Sequence, residues 1–306
     1  MGHPEAKKIT MKPLSRNKRR GYLAIFFIAF VIGTPLFILD AKGYRLNWSD
    51  VIEVSQTGGL YISTDQSGIE IYINNELVKK TSIVQKSIFV QDLKPGAYEI
   101  RASKKGLQSW NKTLKVFPEI VTDARSFLIK SNPEPIEIQQ FFNPEDSIST
   151  SSSKKTSLKN SKNPEYDDIN ALFVVPVLKT TSTKLGTTSP DSKTLSDILV
   201  KNEAGKLHIF WVGETDSVPN YFCENIVCKS EIMIDATSRI LSFDFFPGRN
   251  DLIILRLETG IYVSEIDDRS PQNIQNIVSG PGFDFKIKDG KKIYLKKGEK
   301  IYSVSP

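Results

Sequence analysis

The run from Arg16 to Asp40, RNKRRGYLAIFFIAFVIGTPLFILD, constrains this chain more than any other stretch. Nineteen residues separate Arg20 from Asp40 without a formal charge, and from Tyr22 to Leu39 only Gly33, Thr34 and Pro35 interrupt the apolar side chains. At about 1.5 Å per residue those helical positions reach roughly 27 Å, close to the roughly 30 Å hydrocarbon core of a bilayer. Three readings compete: an uncleaved membrane span, a cleavable secretory signal and a buried soluble helix. The run is longer than a usual signal core, and Leu39-Asp40-Ala41 offers no small-x-small cleavage site, so the span over 21–40 is the expectation. Pro35 removes one backbone donor late in the span, where a kink is expected.

Charge sharpens this. The net charge of +6 looks at first like a nucleic-acid signal. Residues 1–20, however, hold seven basic side chains against the single acid Glu5, which accounts for all of it, and the remaining 286 residues carry 34 charges of each sign. Arg16, Lys18, Arg19 and Arg20 at the start of the span therefore read as a topology signal: tail 1–20 cytoplasmic, and about 265 residues on the far side in an extracytoplasmic, oxidising space. Nucleic acid is not an expected partner; the lipid bilayer is. In that compartment Cys223 and Cys228, the only cysteines, read as a disulfide closing a small loop. A zinc site would need four ligands, and only His3 and His208 are available beside those thiols.

Beyond a connector at 41–57 the pattern turns to short alternating runs with turn residues every eight to twelve positions, the mark of a small antiparallel β domain. Ile69, Ile71 and Ile73 share one face and Glu70 and Tyr72 the other, before an Asn74-Asn75 hairpin turn. Ile88 and Val90 lead to Leu93 and the turn Lys94-Pro95-Gly96. Tyr98, Ile100 and Ala102 share the next face, Lys104-Lys105-Gly106 turns again, and Trp110, Leu114 and Val116 form a further strand. Phe127–Ile129 reads as the last strand of a small sandwich.

The order Leu60-Tyr61-Ile62-Ser63-Thr64, Ile69-Glu70-Ile71-Tyr72-Ile73-Asn74, Leu93-x-Pro95-Gly96-Ala97-Tyr98-Glu99-Ile100, then Lys105-Gly106, resembles the PEGA domain over residues 58–130, with Pro95, Gly96, Ala97, Tyr98 and Gly106 as the motif. The resemblance implies a β-sandwich-like module common in surface and envelope proteins, with no catalytic residues to transfer. The basic tail, single span and following module also resemble a group of bacterial membrane-anchored PEGA proteins.

The Ser/Thr/Lys-rich run Asn143–Asp168 is too poor in apolar side chains to offset its ordering entropy, and 131–167 reads as a linker. From 168 to 306 strands resume. Leu172–Leu178 and Leu195–Val200 flank a long loop, Lys179–Thr194. The unit Ile240–Ser279 reads as four strands separated by Pro-Gly-Arg-Asn, Glu-Thr-Gly and a polar loop with Pro271, the period of a propeller blade. Ser189-Pro190-Asp191-Ser192-Lys193 resembles a blade-opening turn, and Gly282–Val304 resembles part of another blade. Two to three and a half blades fit, which leaves either an open β domain or completion by a second chain as a homo-oligomer.

No chemistry rises above this frame. His208 alternates with Ile209 beside Phe210-Trp211 and reads as structural; Asp167-Asp168 and Asp267-Asp268 read as solvated turn carboxylates without the spaced ligands of a calcium loop. No glycine-rich loop precedes a helix, and the triplets Asn47-Trp48-Ser49 and Asn111-Lys112-Thr113 are too short a pattern to carry an argument. The fold expectation is mainly β: one N-terminal transmembrane helix, a small β-sandwich and a partial propeller-like antiparallel region. The functional expectation is a non-enzymatic, cofactor-free envelope protein that presents β domains to an unknown protein, wall polymer or polysaccharide. Its competitor is an extracytoplasmic sensor or assembly subunit of a membrane complex, which a twenty-residue tail equips poorly for output.

Overall fold

The computed structural model describes residues 15–41, 44–48, 52–141, 162–174, 191–225 and 227–306. The apolar run forms helix α1, Arg16–Ala41, which continues through Pro35 and buries none of its side chains. Phe37 is 76% exposed. Such a surface is stable in hydrocarbon and not in water, and the helix is long and apolar enough to cross a membrane. The stretch expected to be a plain connector instead pairs two strands, β1 (Tyr44–Trp48) and β2 (Ile52–Gln56), antiparallel.

Next comes a two-sheet sandwich built from β3 (Gly58–Thr64), β4 (Glu70–Ile73), β5 (Glu76–Lys80), β6 (Ser87–Leu93), β7 (Gly96–Ser103), β8 (Trp110–Val116) and β9 (Val121–Ser126). The sheets run β6-β3-β9 and β5-β4-β7-β8. Asn74 and Asn75 both adopt positive φ, 50° and 68°, as the β4–β5 turn demands. Ile69, Ile71, Ile100, Ala102 and Trp110 are fully inside or nearly so. Gly58 is required where β3 crosses the turn after β8, because a Cβ there would sit 2.1 Å from the Phe117 carbonyl oxygen.

Two expectations are corrected in this sandwich. The last strand is Val121–Ser126, not Phe127–Ile129, and it pairs parallel with β3, so the sandwich is mixed and not wholly antiparallel. Phe127, Leu128 and Ile129 are buried without strand structure. Gln275 supplies the backbone partners that a ladder would have supplied: the Ile129 amide donates to its Oε1 at 2.9 Å, and its Nε2 donates to the Phe127 carbonyl at 3.1 Å.

The rest of the chain holds β10 (Ile136–Ile138), α2 (Pro164–Phe173), β11 (Ser192–Leu195), β12 (Ile198–Glu203), β13 (Lys206–Trp211), β14 (Cys223–Glu224), β15 (Val227–Cys228), β16 (Glu231–Ile234), β17 (Ile240–Phe245), β18 (Leu252–Leu257), β19 (Gly260–Glu265), β20 (Ile274–Ser279), β21 (Phe283–Lys288), β22 (Lys292–Lys297) and β23 (Lys300–Val304). Three four-stranded antiparallel sheets result, ordered β11-β12-β13-β16, β17-β18-β19-β20 and β10-β23-β22-β21. The middle one is the four-strand unit expected from Ile240 to Ser279. Among the described residues the sheets close into neither a barrel nor a propeller ring.

Further differences are local. The stretch 131–167 is not all linker, since β10 completes the last sheet by pairing with β23; residues 142–161, most of the expected linker, lie outside the described residues. Leu172 and Phe173 end a helix and do not begin a strand. Asn163 caps that helix through the Glu165 amide and Pro164 occupies its first turn, a start signal readable in Asn-Pro-Glu. Residues 175–190, with most of the expected long loop, Ser189 and Pro190, also lie outside the described residues. Leu195–Val200 is two strands, parted by Ser196 and Asp197 at φ 47° and 62°.

One apolar core runs from the sandwich (Leu60, Trp110, Leu114, Phe127) into the second and third four-stranded sheets (Leu252, Ile254, Val263, Phe285, Leu295), and a second core joins the first and second sheets. Each large aliphatic side chain buried in this shared core contributes roughly 1.5–3 kcal/mol, so the core joins the sandwich to the C-terminal sheets.

Candidate functional site

Strand β8 is an edge strand, and its exposed backbone would invite pairing with another chain. The loop between β19 and β20 covers it. The Thr113 amide donates to the Ser270 carbonyl at 2.7 Å, the Asn111 amide to Asn273 Oδ1 at 3.0 Å, and Asn273 Nδ2 returns a bond to the Asn111 carbonyl at 2.7 Å.

On the inward face of β8, in phase with Trp110, Leu114 and Val116, stands Lys112, 1% exposed. Its Nζ lies 2.5 Å from Glu265 Oε1 and donates to the carbonyls of Asp267 and Arg269 at 2.9 and 2.7 Å. Trp110 Nε1 donates to the other Glu265 oxygen at 2.8 Å. Burial pushes the Glu265 carboxyl above its usual range, Lys112 pulls it down, and the charge of Asp267 adds to the upward push. Arg269 forks onto Asp267 and donates to the Asp123 carbonyl at 2.9 Å, while Arg249 forks onto Asp251 and also meets Asp65 of the sandwich.

This clamp corrects one reading and supplies residues that the sequence reading passed over. Asp267 is not a solvated turn carboxylate; it is buried against Arg269. Asp268 pairs with Lys229, and Asp167 and Asp168 stand on α2, where Asp168 meets Lys288. Lys112, Glu265, Arg249 and Arg269 went unnoticed, although one signal was present: a lysine at the third position of Trp-x-Lys-x-Leu-x-Val falls on the buried face, where a charge needs a partner.

Beside the clamp opens a cleft of about 380 Å³ between the sandwich and the C-terminal residues 220–229 and 268–270. Phe117, Ile120, Val121 and Tyr221 give it an apolar strip. Lys115 meets Glu224 at 2.5 Å across it, and Asn220 Nδ2 donates to Asp123 Oδ1 at 2.6 Å. Burial raises the Tyr221 phenol pKa, and the nearby Asp251 and Asp267 add to the rise, so the hydroxyl stays protonated. The charged side chains named here already have partners. The surface therefore offers apolar contact and neutral hydrogen bonds.

Of the residues singled out from the sequence, Ala97, Thr113, Cys223 and Asp268 line this cleft. Cys223 and Cys228 are joined, their sulfurs 2.01 Å apart, across the short β14–β15 pair that forms one rim. Tyr98 serves its own turn, its hydroxyl donating to the Lys94 carbonyl at 2.9 Å behind Pro95 and Gly96. Gly106 takes φ 84° at the β7–β8 turn. His208 lies on β13 with Nδ1 against Glu231, outside the cleft. Arg16, Lys18, Arg19 and Arg20 occupy the start of α1, away from all of these.

The chain thus places a two-sheet β sandwich behind one helix long and apolar enough to cross a membrane. Comparison with known families finds one match in the module: residues 57–132 match the family model described as the PEGA domain. No curated protein matches the chain. Among solved structures it is similar to the "AfRom2 CNH domain", at 10% identity over 75% of this chain and 70% of that one with a TM-score of 0.25, too loose a likeness to carry any argument.

The Asp65 carboxyl at the sandwich edge provides a pH test of the interface. Burial pushes its pKa up, but Arg125 and Arg249 together outweigh this and hold it below its usual range. A depressed carboxylate contributes its stability above the unfolded value of about 3.9 and loses it as pH falls through the folded value. Unfolding midpoints followed from pH 6 downward are expected to fall less steeply below about pH 4 for Asp65→Asn than for the parent chain; parallel curves would refute the linkage.

Proposed function

We propose that this chain is a non-enzymatic, single-pass envelope protein that holds its PEGA domain and the fused β unit outside the cytoplasm, its basic N-terminal end inside. The cleft beside the clamp is the surface it offers to a protein, wall polymer or surface glycan. The observation that carries the reading is α1, apolar on all sides with no side chain buried, ahead of β units that are buried in one another. The retention of Arg16, Lys18, Arg19 and Arg20 at its start supports the orientation. The partner-facing role draws support from pre-paired charges and an apolar strip in the cleft.

Orientation is tested with an impermeant thiol reagent on spheroplasts. A Lys105→Cys chain, altered at an exposed turn, is expected to label at once, and a Lys12→Cys chain only after permeabilisation. The reverse order would overturn the proposal. A photocrosslinker at Ile120 is then expected to join the chain to an envelope component in intact membranes, and the same probe at Met233 on β16 is not.

A further inference from the structure

We propose that the end of the β sandwich opposite α1 docks onto a second bilayer rich in anionic lipid, with Ile83 and Val84 entering between headgroups that unpaired lysines hold. The inference rests on the anchor reading above, which sets α1 in a different bilayer.

The strand order gathers the site at one end. β9 runs parallel to β3, and β4 begins just beyond the end of β3, so loops 65–69, 81–86, 104–109 and 127–131 lie together. They are tied to one another. The Gly68 amide donates to the Thr81 carbonyl at 2.9 Å, Lys104 Nζ to the Ser67 carbonyl at 2.8 Å, and the Ser131 amide to the Gly106 carbonyl at 2.9 Å. Ala41, the last residue of α1, instead lines a recess with Gly58 and Gly59, where β3 begins. Seven strand residues at about 3.3 Å each set the two ends roughly 20 Å apart.

The turn Ser82–Gln85 is closed twice: the Ser82 amide donates to the Gln85 carbonyl at 2.9 Å and the Gln85 amide to Ser82 Oγ at 3.0 Å. It holds Ile83 and Val84 outward, 82 and 96% exposed, more than any side chain of the membrane-type helix. Charge surrounds the pair. The strand ends and loops at this end carry seven basic side chains, at 79, 80, 86, 104, 105, 125 and 130, against the acids Asp65 and Glu70, whereas the rest of the module over 57–132 carries four against five. Both acids are taken, Asp65 by Arg125 and Arg249 and Glu70 by Lys80. Lys79, Lys86 and Lys105 meet no carboxylate among the described residues, while Lys104 and Lys130 donate to backbone carbonyls. The neutrality of the chain beyond residue 20 thus conceals a cationic end.

This layering matches an anionic bilayer, where lysines meet phosphates at the surface and aliphatic side chains reach the acyl boundary below. A soluble polyanion would satisfy the lysines and leave Ile83 and Val84 in water. A neutral bilayer would take the aliphatic pair and leave the charge without a counterpart.

The test holds the whole chain in phosphatidylcholine nanodiscs and floats separate vesicles through the mixture. Phosphatidylglycerol-rich vesicles are expected to carry about tenfold more chain than phosphatidylcholine vesicles, an excess that falls as salt rises. Ile83→Ser with Val84→Ser, on an exposed turn, is expected to lower flotation about tenfold at an unchanged unfolding midpoint, and Lys86→Glu with Lys105→Glu to lower it comparably. A fluorophore on Val84→Cys is expected to blue-shift when anionic vesicles are added, and one on Met233→Cys, also exposed, is not. Equal flotation with both lipids overturns the inference. So does a serine variant that floats like the parent, which would mark a plain polyanion site. A probe at 84 that shifts in anionic discs before any vesicle is added also overturns it, by placing the turn on the bilayer of α1. Vesicles that leave that probe unshifted, while a photocrosslinker at 84 captures a protein in intact membranes, assign the turn to a protein and overturn it as well. A chain that stays out of the discs overturns the anchor reading and leaves flotation to judge the turn.

Discussion

Lys112→Met is expected to lower the unfolding free energy of the chain by about 3–5 kcal/mol, the usual cost of removing one partner from a buried ion pair. The lysine is 1% exposed and Glu265 is 3% exposed, so neither charge is relieved by water. Without Lys112 the Glu265 carboxyl keeps only the Trp110 and Asn273 donors. Its pKa, already raised by burial, rises further. A raised folded-state carboxyl binds more protons than its unfolded counterpart, so stability declines as pH climbs from the unfolded value towards the folded one. The deficit is therefore expected to be smaller at pH 5 than at pH 8. Adding Glu265→Gln removes the orphaned charge while keeping an acceptor for Trp110, and is expected to bring the chain back to within about 2 kcal/mol of the parent. The unsatisfied carbonyls of Asp267 and Arg269 account for the remainder. Denaturant titrations of the detergent-solubilised chain at both pH values measure all of this. A single variant as stable as the parent would show that the clamp does not hold the two units together.

Trp110→Ala is expected to cost about 3–5 kcal/mol for a different reason. Trp110 is completely buried where the sandwich core continues into the four-stranded sheets, so truncation opens a cavity that rigid strands on both sides cannot collapse into. Trp110→Phe keeps most of the apolar volume and loses the Nε1 bond to Glu265, so its cost is expected to stay near 1–3 kcal/mol, the price of an unsatisfied buried acceptor plus a small void. The order Ala, Phe, parent in unfolding midpoint, with the PEGA and C-terminal signals shifting together, is the outcome that fits one shared core. A loss confined to one set of signals would mean that the units unfold independently.

Much of the local structure was legible in the residues because it is written in short-range periodicity. The alternation at Ile69-Ile71-Ile73, the Asn74-Asn75 turn and the four-strand unit from Ile240 to Ser279 each depend on neighbours a few positions apart, and each is found. The misreadings share a cause. Phe127–Ile129 is apolar because it is buried, and in this place Gln275 replaces a ladder partner from 146 residues away. Leu195–Val200 looked continuous because Ser and Asp at positive φ are uncommon enough to be passed over. The start of α2 was present in Asn163-Pro164-Glu165 and outweighed by an apolar run.

The clamp was half legible. Lys112 in phase with Trp110 announced a buried cation, but nothing local names Glu265, 153 residues on, as its partner. By itself the sequence determined the helix, its charge asymmetry and the strand periods, because the length of an apolar run and the pleat act on contiguous residues. Only the tertiary structure decided that the sandwich and the sheets share one core, that β9 returns parallel to β3, and that a cleft lies beside a buried charge network. Those features depend on which distant segments exclude water together, and burial is a property of three-dimensional neighbours that no short window of residues contains.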